Sequence, residues 1–303
     1  MSEDPSFGPP VGGAAPMVIV NGEAGGTLPT SDRGLYYGDG LFETVAVHNG
    51  RPEFWDRHMA RLREGCTRLG LPCVDVDALA RETEVLCKRA GVRKGVARVR
   101  KGVARGVLKI IISRGSGGRG YRTPETVHPT RMVSLHPWPE IPEGNLAGGV
   151  RVRLCDLRLG HQPALAGIKH LNRLESVLAR REWDDPDIAE GLLCDGDGLV
   201  VAGTMSNLFL VKGGRLRTPD LSRCGVAGII RAVVWEIAET RGIPFEVADI
   251  PVAEARESQE LFLTNSVIGI WPVREFDGKA YAVGPVTREL MEDLERRRAL
   301  ETA

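Results

Sequence analysis

Apolar residues recur along this chain with two different periods, and the periods predict its secondary structure. Short apolar runs bounded by turn residues predict strands at residues 17–20 and 42–47, the second leading into the turn His48-Asn49-Gly50-Arg51, which favours a hairpin. Apolar residues at helical spacing then predict two amphipathic helices, at about residues 55–69 and 76–90. The first part of the chain therefore mixes strands with helices.

The end of this first part is marked by a change in composition. Residues 107–113 and 131–136 have the pattern of strands, and the proline-rich stretch from Pro137 to Gly144 continues neither a helix nor a central strand. Between the second helix and residue 107, the segment Arg-Lys-Gly-Val-Ala-Arg occurs twice, at 93–98 and 100–105. One short tandem copy is not a repeat architecture. We interpret it as a basic, solvated loop insertion.

The second half of the chain has the pattern of short strands followed by helices. Strands are predicted at about residues 150–155, 188–194, 199–201, 207–211, 215–218 and 260–263, and helices from about 229, at 250–257 and at 286–300. Because 303 residues exceed what one hydrophobic core usually serves, we expect two domains. The predicted organisation is a disordered tail over 1–16, a small α/β domain over 17–137, a linker over 138–148 and a larger domain over 149–303.

Composition and charge exclude several classes of function. Lysine plus arginine equals aspartate plus glutamate at 40 each, so nothing favours nucleic acid or an anionic membrane as a partner. No apolar run reaches the length of a membrane helix. The six cysteines form no Cys-x-x-Cys pair and the six histidines show no ligand-like pairing, so no metal site is expected. Reduced thiols and the absence of a signal-peptide pattern predict a cytoplasmic protein.

The lysine at position 169 stands between a small apolar approach and a segment with helical periodicity. The approach is Ala166-Gly167-Ile168, and the apolar residues that follow are Leu171, Leu174, Val177 and Leu178. This pattern predicts a strand-to-helix junction at Lys169. Apolar surroundings disfavour an ammonium ion, which leaves an amine able to attack a carbonyl. An isolated lysine is more often a solvated surface residue, so this interpretation depends on what the rest of the chain supplies.

Three other segments have the composition of an anion site. Arg61 interrupts the packable face of the first helix, where a guanidinium in a cleft can bind a phosphate with two hydrogen bonds. The glycine-rich segment 225–228 opens a helix, and unpaired amides at a helix start attract anions. Residues 264–266 place hydroxyl and amide groups before an apolar run. Each segment also has a structural interpretation: a solvated arginine, a capped core helix and an ordinary turn.

Together these residues supply what a phosphorylated aldehyde cofactor requires, an amine partner and several donors for its phosphate. From about Val18 to about Val273 the chain resembles the fold type IV, branched-chain aminotransferase-like family of pyridoxal-phosphate enzymes. Within that family it is most similar to the aminodeoxychorismate lyases. The segments that favour the lyases are 113–121, 167–175 and 265–273, whereas the whole family shares 58–62, 206–209 and 225–231.

The resemblance implies a fold, a cofactor site and an assembly. The fold is a two-domain α/β (α+β) architecture with a smaller α/β domain, a larger domain built on a distorted β-barrel with helices, and a homodimer. Lys169 would join covalently to the aldehyde of pyridoxal 5'-phosphate and later move protons. Arg61 and the amides of Ile229 and Ile230 would bind the phosphate, with Asn265 or Ser266 completing that cup. Asn207 would lie beside the pyridine ring.

The resemblance also implies a reaction, the conversion of 4-amino-4-deoxychorismate to 4-aminobenzoate and pyruvate, a step toward folate. Arg114 or Arg119, in the glycine-rich loop 114–121, is a candidate for binding a substrate carboxylate, because arginines complement carboxylates. One position departs from the family. Ala202 stands five residues before Asn207, where the family has a glutamate that keeps the pyridine nitrogen protonated. An alanine cannot pair with that nitrogen, so we expect turnover to fall while cofactor binding survives.

Two alternatives follow from the same residues. A transaminase acting on a D- or branched-chain amino acid would have the same fold and the same lysine. A degenerate protein that binds the cofactor with little catalysis is suggested by Ala202. Asp195 or Asp197 is a candidate to replace the missing glutamate.

Overall fold

The computed structural model describes residues 17–92, 98–100, 103–142 and 144–302, and these residues form two compact units. The first unit takes the chain up to Pro139, together with Lys169–Asn172 and the chain end from Glu301. The second unit takes residues 140–168 and 173–300. None of the helices in the described ranges combines the length and the apolarity needed to cross a membrane.

The first unit is built on a seven-stranded antiparallel sheet in the order β2-β1-β7-β6-β3-β4, with β5 paired to β6. Its elements are β1 (Met17–Val20), β2 (Glu23–Ala24), α1 (Arg33–Tyr37), β3 (Gly40–His48), β4 (Arg51–Pro52), α2 (Trp55–Leu69), α3 (Val76–Val92), β5 (Arg98–Arg100), β6 (Val103–Ser113) and β7 (Thr130–Pro137). The predicted hairpin and both predicted helices are confirmed. Of the duplicated basic segment, residues 93–97 and 101–102 lie outside the described part. The remainder lies in β5 and β6, so the expectation of a loop was wrong there.

The second unit is built on a nine-stranded mixed sheet in the order β10-β9-β8-β15-β14-β11-β12-β13, with β16 paired to β15. Its elements are α4 (Gly144–Ala147), β8 (Val150–Leu159), α5 (Leu174–Arg180), β9 (Ile188–Asp195), β10 (Val200–Gly203), β11 (Asn207–Lys212), β12 (Arg215–Pro219), α6 (Ile229–Arg241), β13 (Phe245–Ala248), α7 (Val252–Glu257), β14 (Glu260–Asn265), β15 (Gly269–Phe276), β16 (Lys279–Ala280) and α8 (Pro285–Thr302).

This larger sheet curls until the two ends of its strand order approach each other. The amide of Val200 in β10 donates to the carbonyl of Ile250, just after β13, at 2.8 Å. A bridge between Leu199 and Pro251 strengthens the same closure. The inner apolar cluster includes Leu208 and Phe276, both fully buried. The predicted fold class, an α/β (α+β) fold whose larger part is built on a distorted β-barrel, is confirmed: the structure mixes helices with curled sheets, and the larger sheet forms a half-barrel.

The segment after Lys169 differs from its prediction. Residues 169–173 form no helix, His170 forms an isolated β-bridge with Leu41, and the helix begins only at Leu174. Its apolar residues do not face a core: Leu174 is 74% exposed, Val177 52% and Leu178 49%. Helical spacing predicted an apolar helix face correctly, but no other described residues bury that face.

Candidate active site

Lys169 is held by backbone hydrogen bonds to the first residues of β3. The amide of Phe42 donates to the Lys169 carbonyl at 2.9 Å, and the amide of Leu171 donates to the Gly40 carbonyl at 2.9 Å. A Cβ on Gly40 would lie 2.3 Å from the carbonyl oxygen of Ile112, so only glycine fits this close approach. Lys169–Asn172 therefore belong to the first unit, although the sequence placed Lys169 in the domain over 149–303.

The side chain of Lys169 lies over an aromatic ring. Its Nζ is 4.4 Å from the centroid of the Phe42 ring, within the range of a cation–π contact. The backbone hydrogen bonds fix the position of the Lys169 backbone, and the Phe42 ring contacts its side-chain amine. Lys169 thus has a defined position, which a reactive amine needs and a solvated surface lysine lacks.

Glu43 is one residue further along β3 and faces the opposite side of the sheet, toward α2. Its carboxylate lies 2.8 Å from Arg61 Nε, 2.5 Å from Arg61 Nη2 and 2.6 Å from His58 Nδ1. His58 and Arg61 reach it together because residues three apart share a helix face. Glu43 and His58 are 1% and 0% exposed and the Arg61 side chain is 12% exposed, so the network of three side chains is largely shielded from solvent.

Burial and charge act in opposite directions on the pKa values in this network. Burial raises the pKa of Glu43, but Arg61 and His58 outweigh it and hold the pKa at about 2. Burial lowers the pKa of His58, the adjacent Glu43 carboxylate opposes this, and the positive charges of Arg61 and Lys169 add to the lowering. At neutral pH the network is therefore an ionised carboxylate between a neutral imidazole and a guanidinium.

In the second unit, Asn207 shapes the entry to α6. Its Oδ1 accepts a hydrogen bond from the Gly228 amide at 3.1 Å, and its Nδ2 donates to the Val226 carbonyl at 2.9 Å. Gly228 is the N-cap of α6 and has no side chain to cap the first amides of the helix, those of Ile229 and Ile230. A Cβ at Gly228 would lie 2.1 Å from Asn207 Oδ1. The helix start thus presents amide donors suited to an anion such as a phosphate.

Asn265 and Ser266 lie in the turn between β14 and β15. Asn265 Oδ1 accepts hydrogen bonds from the amides of Val267 and Ile268, both at 2.9 Å, and its Nδ2 donates to the Met205 carbonyl at 3.1 Å. The Asn265 amide group is therefore engaged within its own unit. Asn265 and Ser266 both stay candidates for completing a phosphate cup.

Glu190 is a buried residue that the sequence analysis did not identify. Its carboxylate accepts five hydrogen bonds, from the amides of Gly191, Thr204 and Met205 and the hydroxyls of Thr204 and Ser206. They fix the turn between β10, which carries Ala202, and β11, which begins at Asn207. Burial raises the pKa of Glu190 and these bonds oppose it. Its only sequence signal was a lone acid in an otherwise apolar strand.

Ala202 is 7% exposed and lies in an apolar cluster with Cys155, Leu193, Leu221 and Cys224. Asp195, a candidate replacement for the family glutamate, is 1% exposed, and its carboxylate accepts hydrogen bonds from His161 and from the amides of Asp197 and Leu199. Asp195 is thus committed to the turn between β9 and β10. Asp197 is exposed in the same turn.

The same turn brings ligand atoms of His161, Asp195 and Asp197 within 4.8 Å of one another. Arg223 Nε lies 4.0 Å from Asp195 Oδ2, so a cation already neutralises this carboxylate. Burial raises the pKa of Asp195, but the hydrogen bonds from His161 and from the amides of Leu199 and Asp197 outweigh it and lower the pKa. The group is satisfied without a metal ion.

The two arginines of the glycine-rich loop differ in their surroundings. Arg114 is 5% exposed and binds both oxygens of Asp39 through Nε and Nη2, at 2.8 and 3.0 Å. It also donates to the carbonyls of Leu69 and Gly70 at the end of α2. These contacts use all three guanidinium nitrogen atoms of Arg114 within the fold. Substrate binding by Arg114 or Arg119 stays a prediction. Arg119 is exposed on the loop.

The residues of the two units supply donors of the kinds that pyridoxal phosphate requires. The first unit has a positioned lysine amine and an arginine held by a carboxylate, and the second unit has an uncapped helix start, as an aldehyde and a phosphate require. The apolar surroundings of Ala202 do not suit a protonated pyridine nitrogen, since they provide no counter-charge.

Comparison with known proteins settles the family. The model of the class IV amino-transferases matches residues 40–276. This chain belongs to the class IV aminotransferase family. It is 33% identical to the aminodeoxychorismate lyase of Vibrio harveyi, covering 92% of this chain and 99% of that protein. It is 28% identical to the D-alanine aminotransferase of Listeria innocua, covering 87% and 88%.

A solved structure of the 4-amino-4-deoxychorismate lyase from Pseudomonas aeruginosa is 47% identical, with a TM-score of 0.84 over 92% of this chain and 98% of that one. The class IV aminotransferases use pyridoxal phosphate, and a solved aminotransferase from Mycobacterium tuberculosis with this fold is in a form bound to that cofactor. The chain is therefore a pyridoxal-phosphate-dependent enzyme of fold type IV.

Proposed function

We propose that this enzyme is a 4-amino-4-deoxychorismate lyase, which eliminates pyruvate from its substrate and releases 4-aminobenzoate for folate synthesis. The observation that carries the proposal is the 47% identity with the lyase of Pseudomonas aeruginosa over nearly the full length of both chains. The positioned amine of Lys169 supplies the group on which such chemistry depends.

In the proposed site, Lys169 would hold the cofactor through its aldehyde. Arg61, held by Glu43, and the amides of Ile229 and Ile230 would bind the phosphate, with Asn265 or Ser266. Asn207, besides shaping the helix entry, would lie beside the pyridine ring. Pyridoxal phosphate supplies a conjugated system that accepts negative charge.

Lys169 then moves protons. Its Nζ would act as the base that removes the proton from the amine-bearing ring carbon of the substrate. As the carbon–oxygen bond to the enolpyruvyl group breaks, the protonated Nζ donates that proton to the departing ether oxygen. The enol becomes pyruvate, and the ring is left aromatic as 4-aminobenzoate. The proton taken from the ring carbon is thus returned to the ether oxygen, the electron pair of the broken carbon–hydrogen bond forms the new ring double bond, and no oxidant is needed.

The test combines product formation with labelling of the lysine. Protein saturated with pyridoxal phosphate should convert 4-amino-4-deoxychorismate to 4-aminobenzoate, measured by chromatography with fluorescence detection. Borohydride treatment should attach the cofactor to Lys169, as read by peptide mass spectrometry, and Lys169→Ala should lose both signals. A protein that takes up no pyridoxal phosphate would contradict the proposal.

A transaminase is the second candidate, and it is favoured by the identity of 28% to a D-alanine aminotransferase. Incubation with D-alanine and 2-oxoglutarate separates the two, because only a transaminase forms glutamate. The third candidate, a cofactor-binding protein with little catalysis, is favoured by the apolar surroundings of Ala202. Borohydride labelling of Lys169 without formation of 4-aminobenzoate or glutamate would identify it.

The exposed apolar stripe on α5 favours a homodimer. Leu174, Val177 and Leu178 recur at the spacing of one helix face and are each about half exposed or more. A second copy of the chain is the occupant we propose for this face. In light scattering coupled to size-exclusion chromatography, the protein should have the mass of a dimer, and Leu174→Glu with Leu178→Glu should shift it to a monomer. Leu300→Glu, at a residue 79% exposed, is the control and should leave the mass unchanged.

We also propose the cytoplasm as the location of this protein. All six cysteines are free thiols, and five of them are buried. Unpaired thiols are typical of a reducing compartment. Fractionation of cells that express the full chain should place it with cytoplasmic markers.

A further inference from the structure

The sheet of the first unit has a second face, opposite the one that packs on α2. Glu43 bonds to α2, and Leu41 lies against Gly65 of the same helix, so these residues point to the helical face. Phe42 and Thr44 alternate with them and point to the other face. Both are only partly buried, so this second face is the more open one.

Lys109 of β6 is on this open face. In the register of β3 and β6, Thr44 is opposite Lys109 and Phe42 is opposite Ile111, and directly opposed residues point to the same side of a sheet. Lys109 Nζ lies 5.4 Å from the centroid of the Phe42 ring, the same ring that Lys169 Nζ approaches to 4.4 Å. The two ammonium groups are therefore no farther apart than the sum of these distances.

Lys109 is also a cation without an internal counter-charge. Among the residues that the structure describes, it forms no ion pair with a carboxylate, and its side chain is partly buried. The charge of Lys109 affects a neighbouring side chain. The pKa of His136, on strand β7, is lowered first by burial and then by the positive charge of Lys109. Arg114, by contrast, has a counter-charge, because its Nε and Nη2 both donate to the carboxylate of Asp39.

The proposed substrate requires such a cation near Lys169. Each product carries one carboxylate, so the substrate carries two. In 4-aminobenzoate the carboxylate is across the ring from the amine, whereas the enolpyruvyl group leaves from the carbon next to the amine-bearing one. The enolpyruvyl carboxylate is thus the negative charge closer to the atoms on which Lys169 acts.

We propose that Lys109 binds the enolpyruvyl carboxylate of the substrate through its Nζ, beside the Phe42 ring that both lysines approach. This inference rests on the proposed function and assigns one substrate contact within it. A single charge-assisted hydrogen bond of this kind changes affinity by roughly tenfold or more.

The test uses two variants and a probe that does not react. Lys109→Met should raise KM for 4-amino-4-deoxychorismate about tenfold with a smaller change in kcat, whereas Lys109→Arg, which keeps the charge, should recover most of the affinity. Chorismate lacks the amine but keeps both carboxylates, so its binding, measured by calorimetry, should weaken about as much in Lys109→Met. Lys212→Met, at an exposed lysine of the second unit, is the control and should change neither value.

The outcomes are distinct. Unchanged KM and unchanged chorismate binding in Lys109→Met would overturn the assignment. So would a variant in which only the spectrum of bound pyridoxal phosphate changes with pH, since Lys109 would then act on Lys169 and not on the substrate. Failure of the proposed function itself has another signature: the unaltered protein binds pyridoxal phosphate but neither binds chorismate nor forms 4-aminobenzoate.

Discussion

The carboxylate of Glu43 binds Arg61 at two nitrogen atoms, with Oε1 2.8 Å from Nε and Oε2 2.5 Å from Nη2. A guanidinium bound in this way has its plane and direction fixed before any ligand arrives. The arginine that we propose as a phosphate ligand is therefore positioned by a buried carboxylate on the neighbouring strand.

Glu43→Gln should weaken binding of pyridoxal phosphate by about tenfold, because the amide holds Arg61 less firmly. It should also lower the free energy of unfolding by about 3 kcal/mol, since the buried guanidinium loses its counter-charge. Absorbance titration of the apoprotein with cofactor and unfolding in urea measure the two effects.

Glu53→Gln is the matched control for this variant. Glu53 is also 1% exposed and pairs with a histidine, His48, at 2.7 Å. Glu53→Gln should lower the free energy of unfolding without changing the affinity for pyridoxal phosphate. Equal losses of cofactor affinity in both variants would contradict the specific role of Glu43.

Stability should depend on pH in acid through the same carboxylate. The pKa of Glu43 falls from an ordinary 4.5 to about 2 in the fold, so its contribution is fully present above pH 4.5 and is lost as pH falls toward 2. The contribution is about 3 kcal/mol. The lowered pKa of His58 has the same sign, with loss beginning as pH falls below 6.5.

Urea unfolding of the unaltered protein and of Glu43→Gln at several pH values isolates the contribution of the Glu43 carboxylate to the free energy of unfolding. The difference between the two curves removes groups that act in the opposite direction, such as Glu190, whose raised pKa favours the fold at lower pH. The difference should shrink between pH 4.5 and 2. A constant difference would show that Glu43 is not ionised in the fold.

Ala202→Glu should increase the rate of 4-aminobenzoate formation, on the order of tenfold, by giving the pyridine nitrogen a counter-charge. Without cofactor the variant should be less stable by about 2 kcal/mol, because the new carboxylate enters an apolar cluster. Added pyridoxal phosphate should recover part of that loss, as read from Tm. The control is Ala202→Gln, whose new side chain has about the size of glutamate but no charge, and it should give no gain in rate. An equal gain in both variants, or no gain in either, would contradict the role of a counter-charge.

Gly228→Ala should weaken cofactor binding by about tenfold, because its Cβ would meet Asn207 Oδ1 at 2.1 Å and displace the start of α6. Gly242→Ala, at the other end of the same helix, is the control. Gly242 has a φ of 66° and open space around it, so the variant should lose about 1 kcal/mol of stability and keep its cofactor affinity. Absorbance titration compares the two, and equal affinities would count against a phosphate site at this helix start.

Periodicity predicted those elements whose partners lie in the same unit. The helix Trp55–Leu69 was placed at its observed ends, since Met59 and Leu62 face a core and Gly70 ends the helix in the left-handed conformation. The same reasoning did not predict the exposure of α5, because the spacing of apolar residues does not show which other element packs against them. Leu174 is 74% exposed despite its helical spacing.

The candidate site was only partly accessible to sequence reasoning. A resemblance could point to Lys169 and Arg61 as separate positions, but the carboxylate that holds Arg61 comes from another element. Arg114 seemed suited to a substrate carboxylate by charge, yet strand pairing brings Asp39 to it. Lys109 gave no signal because its relation to Phe42 arises from the register of β3 and β6, which composition does not encode.

The lysine-bearing segment 169–172 is grouped with the first unit, although the chain on both sides of it is grouped with the second. A nascent chain released after residue 139 would lack the tetrapeptide that pairs with the start of β3. Expression of the amino-terminal half alone would therefore yield an incomplete sheet edge and no reactive amine. Fragments intended to reconstitute this enzyme should be divided elsewhere, so that the tetrapeptide reaches its strand.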